Sequence, residues 1–278
     1  MIRVNQLVIY PIKSCRGVEV DLATVGTTGF ELDRRWMLIG DDGRFLSQRE
    51  HHRLALVRVQ LHEDRLRLEA PGLPSLEVAF EGGGVGPTSR VQVWDDECAA
   101  VAEGEDAARW FSRHLGCSAR LVRMASDDAR PLGSSTAQPG DHVSFADGFP
   151  FLLLSTASLD GLNRRLSLPV PMDRFRPNIV IDGCEPHAED GWHRVRIGEV
   201  SFRFAKPCAR CVVTTVDQTT GERGREPLRT LSTYRTEDGQ VLFGQNLVHE
   251  GRGVIRLGDP VEVTRRRAGL GSPDGASS

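Results

Sequence analysis

Trp36-Met37-Leu38-Ile39-Gly40-Asp41-Asp42-Gly43-Arg44-Phe45-Leu46 decides how the chain is read. Two short apolar runs flank an Asp-Gly pair, and Gly supplies the positive φ that a tight reversal between antiparallel strands needs. The spacing predicts a β-hairpin. The same rhythm extends both ways, with strands expected at Arg3–Tyr10, Val18–Val25, Arg35–Gly40, Arg44–Gln48, Leu54–Leu61, Leu66–Glu69 and Arg90–Trp94. Pro71–Pro74 and Gly82–Pro87 read as loops. Antiparallel strands at this spacing favour a barrel or a sandwich.

Beyond this β-rich part a helix is expected from Asp106 to Leu115, with Ala107, Trp110, Phe111 and Leu115 on one face and Gly116 at its end. It would join two domains. Asp127–His142, rich in Asp, Gly, Ser and Pro, reads as a long surface loop. Phe149–Leu154 reads as a buried strand running into a helix that carries Leu159, Leu162 and Leu166. Ser155 or Thr156 is a good N-cap there. Free N–H groups at such a start suit an anion such as phosphate, although capping alone is the commoner use of the hydroxyls.

Further strands are expected at Asn178–Ile181, Val195–Ile197, Val200–Ala205, Val212–Val216, Val241–Val248 and Val254–Val263. A short helix should start near Pro227, with Leu228, Leu231 and Tyr234 as its apolar stripe. Arg265–Ser278, basic and then Gly/Ser-rich, reads as a disordered tail.

Of 278 residues, 39% are hydrophobic and 26% charged, which supports a sizeable core in one large or two ordinary domains. A net charge of −3 gives no global basic field and argues against nucleic acid as the main partner. The longest strongly apolar stretch, Phe149–Leu154, is interrupted by Pro150 and falls far short of the roughly 18 residues of a membrane span. Met1–Tyr10 lacks the features of a secretory signal, so a soluble protein with no membrane partner is expected. Six cysteines in such a chain fit a reducing, cytoplasmic setting. Among the 35 basic residues only Lys13 and Lys206 are lysines.

Cys208-Ala209-Arg210-Cys211 is the reactive candidate. A structural zinc site needs four ligands, and no second pair follows at a suitable spacing. A thioredoxin-like pair belongs at a helix start, whereas Val-Val-Thr-Thr-Val after Cys211 reads as a strand. A single thiolate ligating a soft metal would be favoured by Arg210 and Lys206 nearby. Two inert, buried cysteines are the plain alternative. Lys13, Ser14, Arg34 and Arg176 emerge beside turns at strand ends in Tyr10–Gly17, Asp33–Trp36 and Phe175–Ile179. Arginine suits bidentate phosphate recognition, and lysine acts as a compact point charge.

Taken in order, Tyr-Pro-Ile-Lys-Ser-Cys-Arg-Gly from Tyr10, Asp-Arg-Arg-Trp from Asp33, Phe-Arg-Pro-Asn-Ile-Val-Ile from Phe175 and Cys-Ala-Arg-Cys-Val-Val-Thr-Thr-Val-Asp from Cys208 resemble the MOSC-domain proteins with their N-terminal β-barrel domain, the mitochondrial amidoxime-reducing components and bacterial relatives. Glu226-Pro227-Leu228 through Tyr234-Arg235, and Phe243-Gly244-Gln245-Asn246, continue the resemblance. It implies a mostly β fold with a few helices: an N-terminal β-barrel domain with a linking helix over 1–120, a MOSC β-barrel domain over 121–265 and a tail over 266–278.

The resemblance also implies a molybdenum cofactor, a pterin dithiolene carrying a phosphate. Cys211 would be the catalytic residue and the thiolate ligand to molybdenum. Lys13, Ser14, Arg34, Ser155, Thr156, Arg176 and Asn178 would hold the pterin or phosphate, and Ala209 and Arg210 would approach it through backbone or side chain. The implied reaction is reduction of small N-hydroxylated substrates such as amidoximes and hydroxylamines. Electrons would come from a separate ferredoxin, cytochrome or flavin reductase, because no four-cysteine cluster motif is present. The alternative is a cofactor or sulfur carrier without turnover. Asp217 is a candidate proton handler in a run that reads as a turn, and Cys184 is expected to be structural.

Overall fold

In the computed structural model, which describes residues 1–82, 88–125 and 129–267, the hairpin at Asp42-Gly43 closes as a tight turn. The expected loop over 83–87, residues 127–128 of the next loop and the tail beyond 267 lie outside the described residues. Gly43 takes φ 75°, its N–H donates to Gly40 O at 3.1 Å, and Leu46 N–H returns to Leu38 O at 2.8 Å. The partner run does not continue as a strand over Arg44–Gln48. Phe45 makes one bridge to Ile39, and then Glu50 and His51 N–H groups turn back onto Ser47 O, ending the extension.

The main sheet runs in the order Val18–Val20, Arg3–Ile9, Ile179–Asp182, Phe151–Ser155, Gln240–His249, Val200–Ala209, Trp192–Ile197, Val261–Arg266. Val4 N–H donates to Asp259 O at 2.9 Å and Val261 N–H to Ile2 O at 3.0 Å, so Arg3–Ile9 meets the start of Val261–Arg266 and the sheet closes into a barrel. Phe151–Ser155 and Ile179–Asp182 pair in parallel, which requires a crossover. That crossover carries α2, Thr156–Asn163, after α1, Glu105–Leu115.

The first strand therefore belongs to the barrel built from the second half of the chain. Leu7 pairs with Ile179, and Val4, Leu7, Ile9, Val25 and Phe30 share a core with Phe151, Trp192 and Phe202. Phe151 meets Phe30 and Phe202 edge-on, with centroids 4.9 and 5.2 Å apart. The opening residues are thus built into the unit formed by the second half of the chain.

The smaller unit holds the four-stranded sheet Trp36–Ile39, Arg120–Met124, Asp96–Ala102, Ser89–Val93 and the three-stranded sheet Arg58–Leu61, Arg65–Glu69, Leu76–Ala79. α1 packs its Ala107, Trp110 and Phe111 face on Trp36, Leu54 and Leu121. It ends at Gly116 in the left-handed conformation, φ 75°, where a Cβ would be strained.

Further expected strands are corrected, Val18–Val25 among them, which divides at Asp21 into Val18–Val20 and Leu22–Val25. Leu54–Leu61 begins as a 3-10 turn over His52–Leu56, and Val254–Val263 is broken by the Gly258 turn, φ 84°. Val212–Val216 is not a strand but a 3-10 turn over Val212–Thr215. There the Thr214 and Thr215 hydroxyls donate to Cys211 O and Val212 O at 3.0 and 2.7 Å, and this local bonding overrides β propensity. A last short helix, α3, spans Leu228–Ser232.

Candidate active site

Two segments cross between the units, and each delivers charged side chains to the seam. Lys13 N–H donates to Trp36 O and Trp36 N–H to Pro11 O at 2.8 and 3.0 Å, while Arg34 N–H donates to Tyr10 O at 2.7 Å. These bonds tie Lys13, Ser14 and Arg34 to one side of a cleft. The opposite side comes from Arg176 and Asn178, which precede Ile179–Asp182, and from Cys208, Ala209, Arg210 and Cys211 at the end of Val200–Ala209. Ser14, Arg34 and Arg176 adopt φ of 68°, 48° and 58°. Non-glycine residues pay strain for that conformation, and such residues concentrate where geometry serves a ligand.

Five cations line the cleft, Lys13, Arg34, Arg49, Arg176 and Arg210, against one carboxylate, Asp147. Most have partners. The buried Lys13 ammonium donates to Phe145 O at 2.7 Å and pairs with Asp147; burial lowers its pKa and Asp147 opposes that shift. Arg34 pairs with the buried Asp33 and donates to Asn178 Oδ1 at 3.0 Å. Asn178 in turn donates to Asp33 at 3.1 Å. Burial raises the Asp33 pKa, with the Arg34 charge and the Tyr10 N–H acting against it. Arg210 donates to Phe175 O at 2.7 Å and to Cys208 Sγ at 2.9 Å, leaving its buried Nε unpartnered.

Arg176 is different. Its guanidinium lies 4.3 Å from the Tyr10 ring centroid, as does that of Arg34, yet it has no hydrogen-bond acceptor or carboxylate among the described residues. Burial lowers its pKa from the ordinary value. The Ser14 hydroxyl likewise has no partner there. Both line a cleft in which cations outnumber the single carboxylate, Asp147.

The thiols divide by environment. Cys15 is buried and its thiol is pushed up to about 12 by burial, and burial lifts Cys184 to about 11. Cys208 and Cys211 line the cleft as free thiols, with Arg49 Nη2 3.6 Å from Cys211 Sγ. Cys211 caps the 3-10 turn that replaces the expected strand, so its sulfur sits where the sheet ends. Among the described residues no three His, Cys, Asp or Glu side chains converge as a metal site.

Ser155 and Thr156 do not reach the cleft. Ser155 is fully buried as the N-cap of α2, accepting from Ser158 N–H. The acceptor at this helix start is the protein's own carboxyl: Glu189, 1% exposed, accepts from Ser158 Oγ at 2.7 Å and from Ser155 Oγ at 3.1 Å. The expected phosphate contact at this helix is replaced by an internal carboxyl. Asp217 is also outside the cleft, closing its turn by accepting from Thr219 and Thr220 N–H at 2.8 and 2.9 Å. Sequence reasoning missed Arg49, which lies just past an expected strand, and Asp147, the counter-ion of Lys13.

Fold and cleft define a protein of two interlocked β units with a cationic, thiol-bearing cleft at their seam. The chain matches the MOSC N-terminal beta barrel domain over residues 1–118 and the MOSC domain over residues 140–262. It is 40% identical to mitochondrial amidoxime-reducing component 1 of Mus musculus over 276 residues, covering 93% of this chain and 81% of that protein. The human protein of the same name is 36% identical over 275 residues, at 93% and 82% coverage. Mitochondrial amidoxime reducing component 2 of Rattus norvegicus is 37% identical over 279 residues, at 93% and 82%. The chain belongs to the amidoxime-reducing component family.

Proposed function

We propose that this protein is a molybdenum-cofactor-dependent oxidoreductase that reduces N-hydroxylated compounds, amidoximes and hydroxylamines among them. The observation that carries the reading is Arg176, a half-buried guanidinium without an acceptor, lining the same cleft as the free thiols of Cys208 and Cys211. A group bearing both a phosphate and a soft metal fits this donor set. The phosphate supplies the missing acceptor, and a thiolate suits molybdenum better than carboxylates do.

Arg176 and Ser14 would hold the phosphate-bearing end. Arg34 and Asn178 fix the loop beneath it, Arg34 reaching Arg176 O at 3.5 Å. Ala209 and Arg210 would line the approach, and Cys211 would be the protein ligand to molybdenum. When bound, such a group supplies two-electron oxygen-transfer chemistry. Overall, the N–O bond breaks, two electrons and two protons are consumed, and water leaves.

The chain orients and tunes. Arg49 places positive charge at the Cys211 sulfur, and Arg210 ties Cys208 back from it. The relatives are each named a component, which supports a separate electron-donor protein, a ferredoxin, cytochrome or flavin reductase. A cytoplasmic setting belongs to the same proposal, six free cysteines being what a reducing compartment preserves. No helix among the described residues is long and apolar enough to cross a membrane.

The test is conversion of benzamidoxime to benzamidine by cofactor-loaded protein with a reduced viologen as electron source. Wild type should turn over and Cys211→Ala should fall to background. Wild-type turnover by Cys211→Ala would overturn the assignment.

A further inference from the structure

Trp94 stands at the first central position of the two-residue turn joining Ser89–Val93 to Asp96–Ala102, with φ 58°. Glycine is favoured there, because a Cβ is strained at positive φ. A tryptophan in that place is costly, and the residue is 39% exposed, the one exposed Trp, Tyr or Phe among the described residues. Neighbours hold it in place. The indole N–H donates to Asp147 at 3.2 Å, the Phe45 ring meets it edge-on at 4.8 Å, and the Arg49 guanidinium lies 4.1 Å from its centroid. Arg49 is the same side chain that reaches Cys211 Sγ.

The cleft continues outward past Phe45, Ser47 and Arg49 into a groove that includes Trp94. The charge changes along it. Inside, five cations face one carboxylate; in the groove Asp42, Glu50 and Asp95 face Arg44 and Arg49.

We propose that this groove is the subsite for the flat, aromatic body of an N-hydroxylated amidine, with Trp94 its specificity-determining residue. The proposal rests on the reductase reading above for the identity of the reacting group. Stacking on the indole would leave the N–O end directed past Arg49 toward Cys211. Reduction breaks that N–O bond with two electrons and two protons, water departs, and the strongly basic amidine takes up a further proton. The resulting cation is repelled by the inner arginines and attracted by Asp42, Glu50 and Asp95, so the groove also favours release of product.

The experiment compares benzamidoxime with acetamidoxime for turnover, and benzamidine with acetamidine for calorimetric binding, all on cofactor-loaded protein. Trp94→Gly suits the positive φ and preserves the turn, while Trp94→Phe keeps a ring. In Trp94→Gly the KM for benzamidoxime and the Kd for benzamidine should each rise about ten-fold, with kcat held within about two-fold. Acetamidoxime and acetamidine should change by less than about two-fold, and Trp94→Phe should recover most of the loss. An equal loss for aromatic and aliphatic compounds, or no loss at all, overturns the subsite. Benzamidine binding that depends on Trp94 without turnover would uphold the subsite and sink the reductase reading. Turnover indifferent to Trp94 would do the reverse.

Discussion

At the start of α2 the hydroxyls of Ser155 and Ser158 and the Ser155 N–H converge on Glu189, whereas at the seam Arg176, Ser14 and Arg210 Nε converge on no acceptor. Both places gather hydrogen-bond donors. In the first the chain brings its own acceptor and closes the network; in the second it leaves the donors open beside two free thiols. Arg210 Nε is buried and unpaired, while the Arg176 guanidinium and the Ser14 hydroxyl open onto the cleft, so the seam holds donors available to a ligand. A helix N-terminus alone does not carry that information.

The sharpest way to break this comparison is to remove the carboxyl from the closed site. Glu189→Ala strands several buried donors and should cost about 3 kcal/mol of stability by denaturant titration. Cofactor content per folded chain should not change. The same carboxyl has a pKa raised by burial, with the Ser158 hydroxyl opposing. Its stabilising contribution is therefore full below the ordinary Glu pKa and is lost as pH rises through the raised value. Glu189→Gln does not titrate, so its stability relative to wild type should improve across that rise; a constant gap would contradict the assignment.

At the open site, Arg176→Ala should leave stability within about 1 kcal/mol of wild type, since the guanidinium has no acceptor to lose. It should speed cofactor loss from loaded protein by about thirty-fold, equivalent to about 2 kcal/mol of charge-assisted binding. The two mutants thus separate folding from retention. Retention unaffected by Arg176→Ala would erase the distinction between the sites.

Lys13 sharpens it further. Its ammonium is enclosed between Phe145 O and Asp147, so Lys13→Arg should overpack the site and cost about 1.5 kcal/mol in thermal or chemical denaturation. The scarcity of lysine in this chain thus meets a place where a compact cation fits and a planar fork does not. The smallest effect is expected from Thr156→Ala, which should leave cofactor retention unchanged because Thr156 does not line the cleft.

Local chemistry was readable in the sequence wherever neighbours in the chain decide it. The Asp42-Gly43 turn, α1 with its Gly116 stop and the Ser155 cap all follow from residues within one turn of each other. Lys13, Ser14, Arg34 and Arg176 could be singled out beside turns at strand ends, and Cys211 by its Cys-x-x-Cys segment and the family resemblance. What was hidden depends on distant partners. Nothing near Arg3–Ile9 says that it pairs with Ile179–Asp182, and nothing near Ser155 announces the carboxyl that arrives from Glu189. Arg49 was passed over because its value lies in reaching Cys211 from the other unit. The Val212–Thr215 turn was missed because two threonine hydroxyls bond to the backbone instead of letting it extend.

The seam, with its unpaired donors and free thiols, is the proposed seat of a molybdenum cofactor. The direct measurement is molybdenum and pterin content of protein purified from a cofactor-competent host, for wild type, Arg176→Ala and Cys211→Ala. About one molybdenum and one pterin per wild-type chain are expected, with pterin depleted in Arg176→Ala and the thiolate-dependent metal signature lost in Cys211→Ala. Wild-type protein carrying neither molybdenum nor pterin would contradict the proposal.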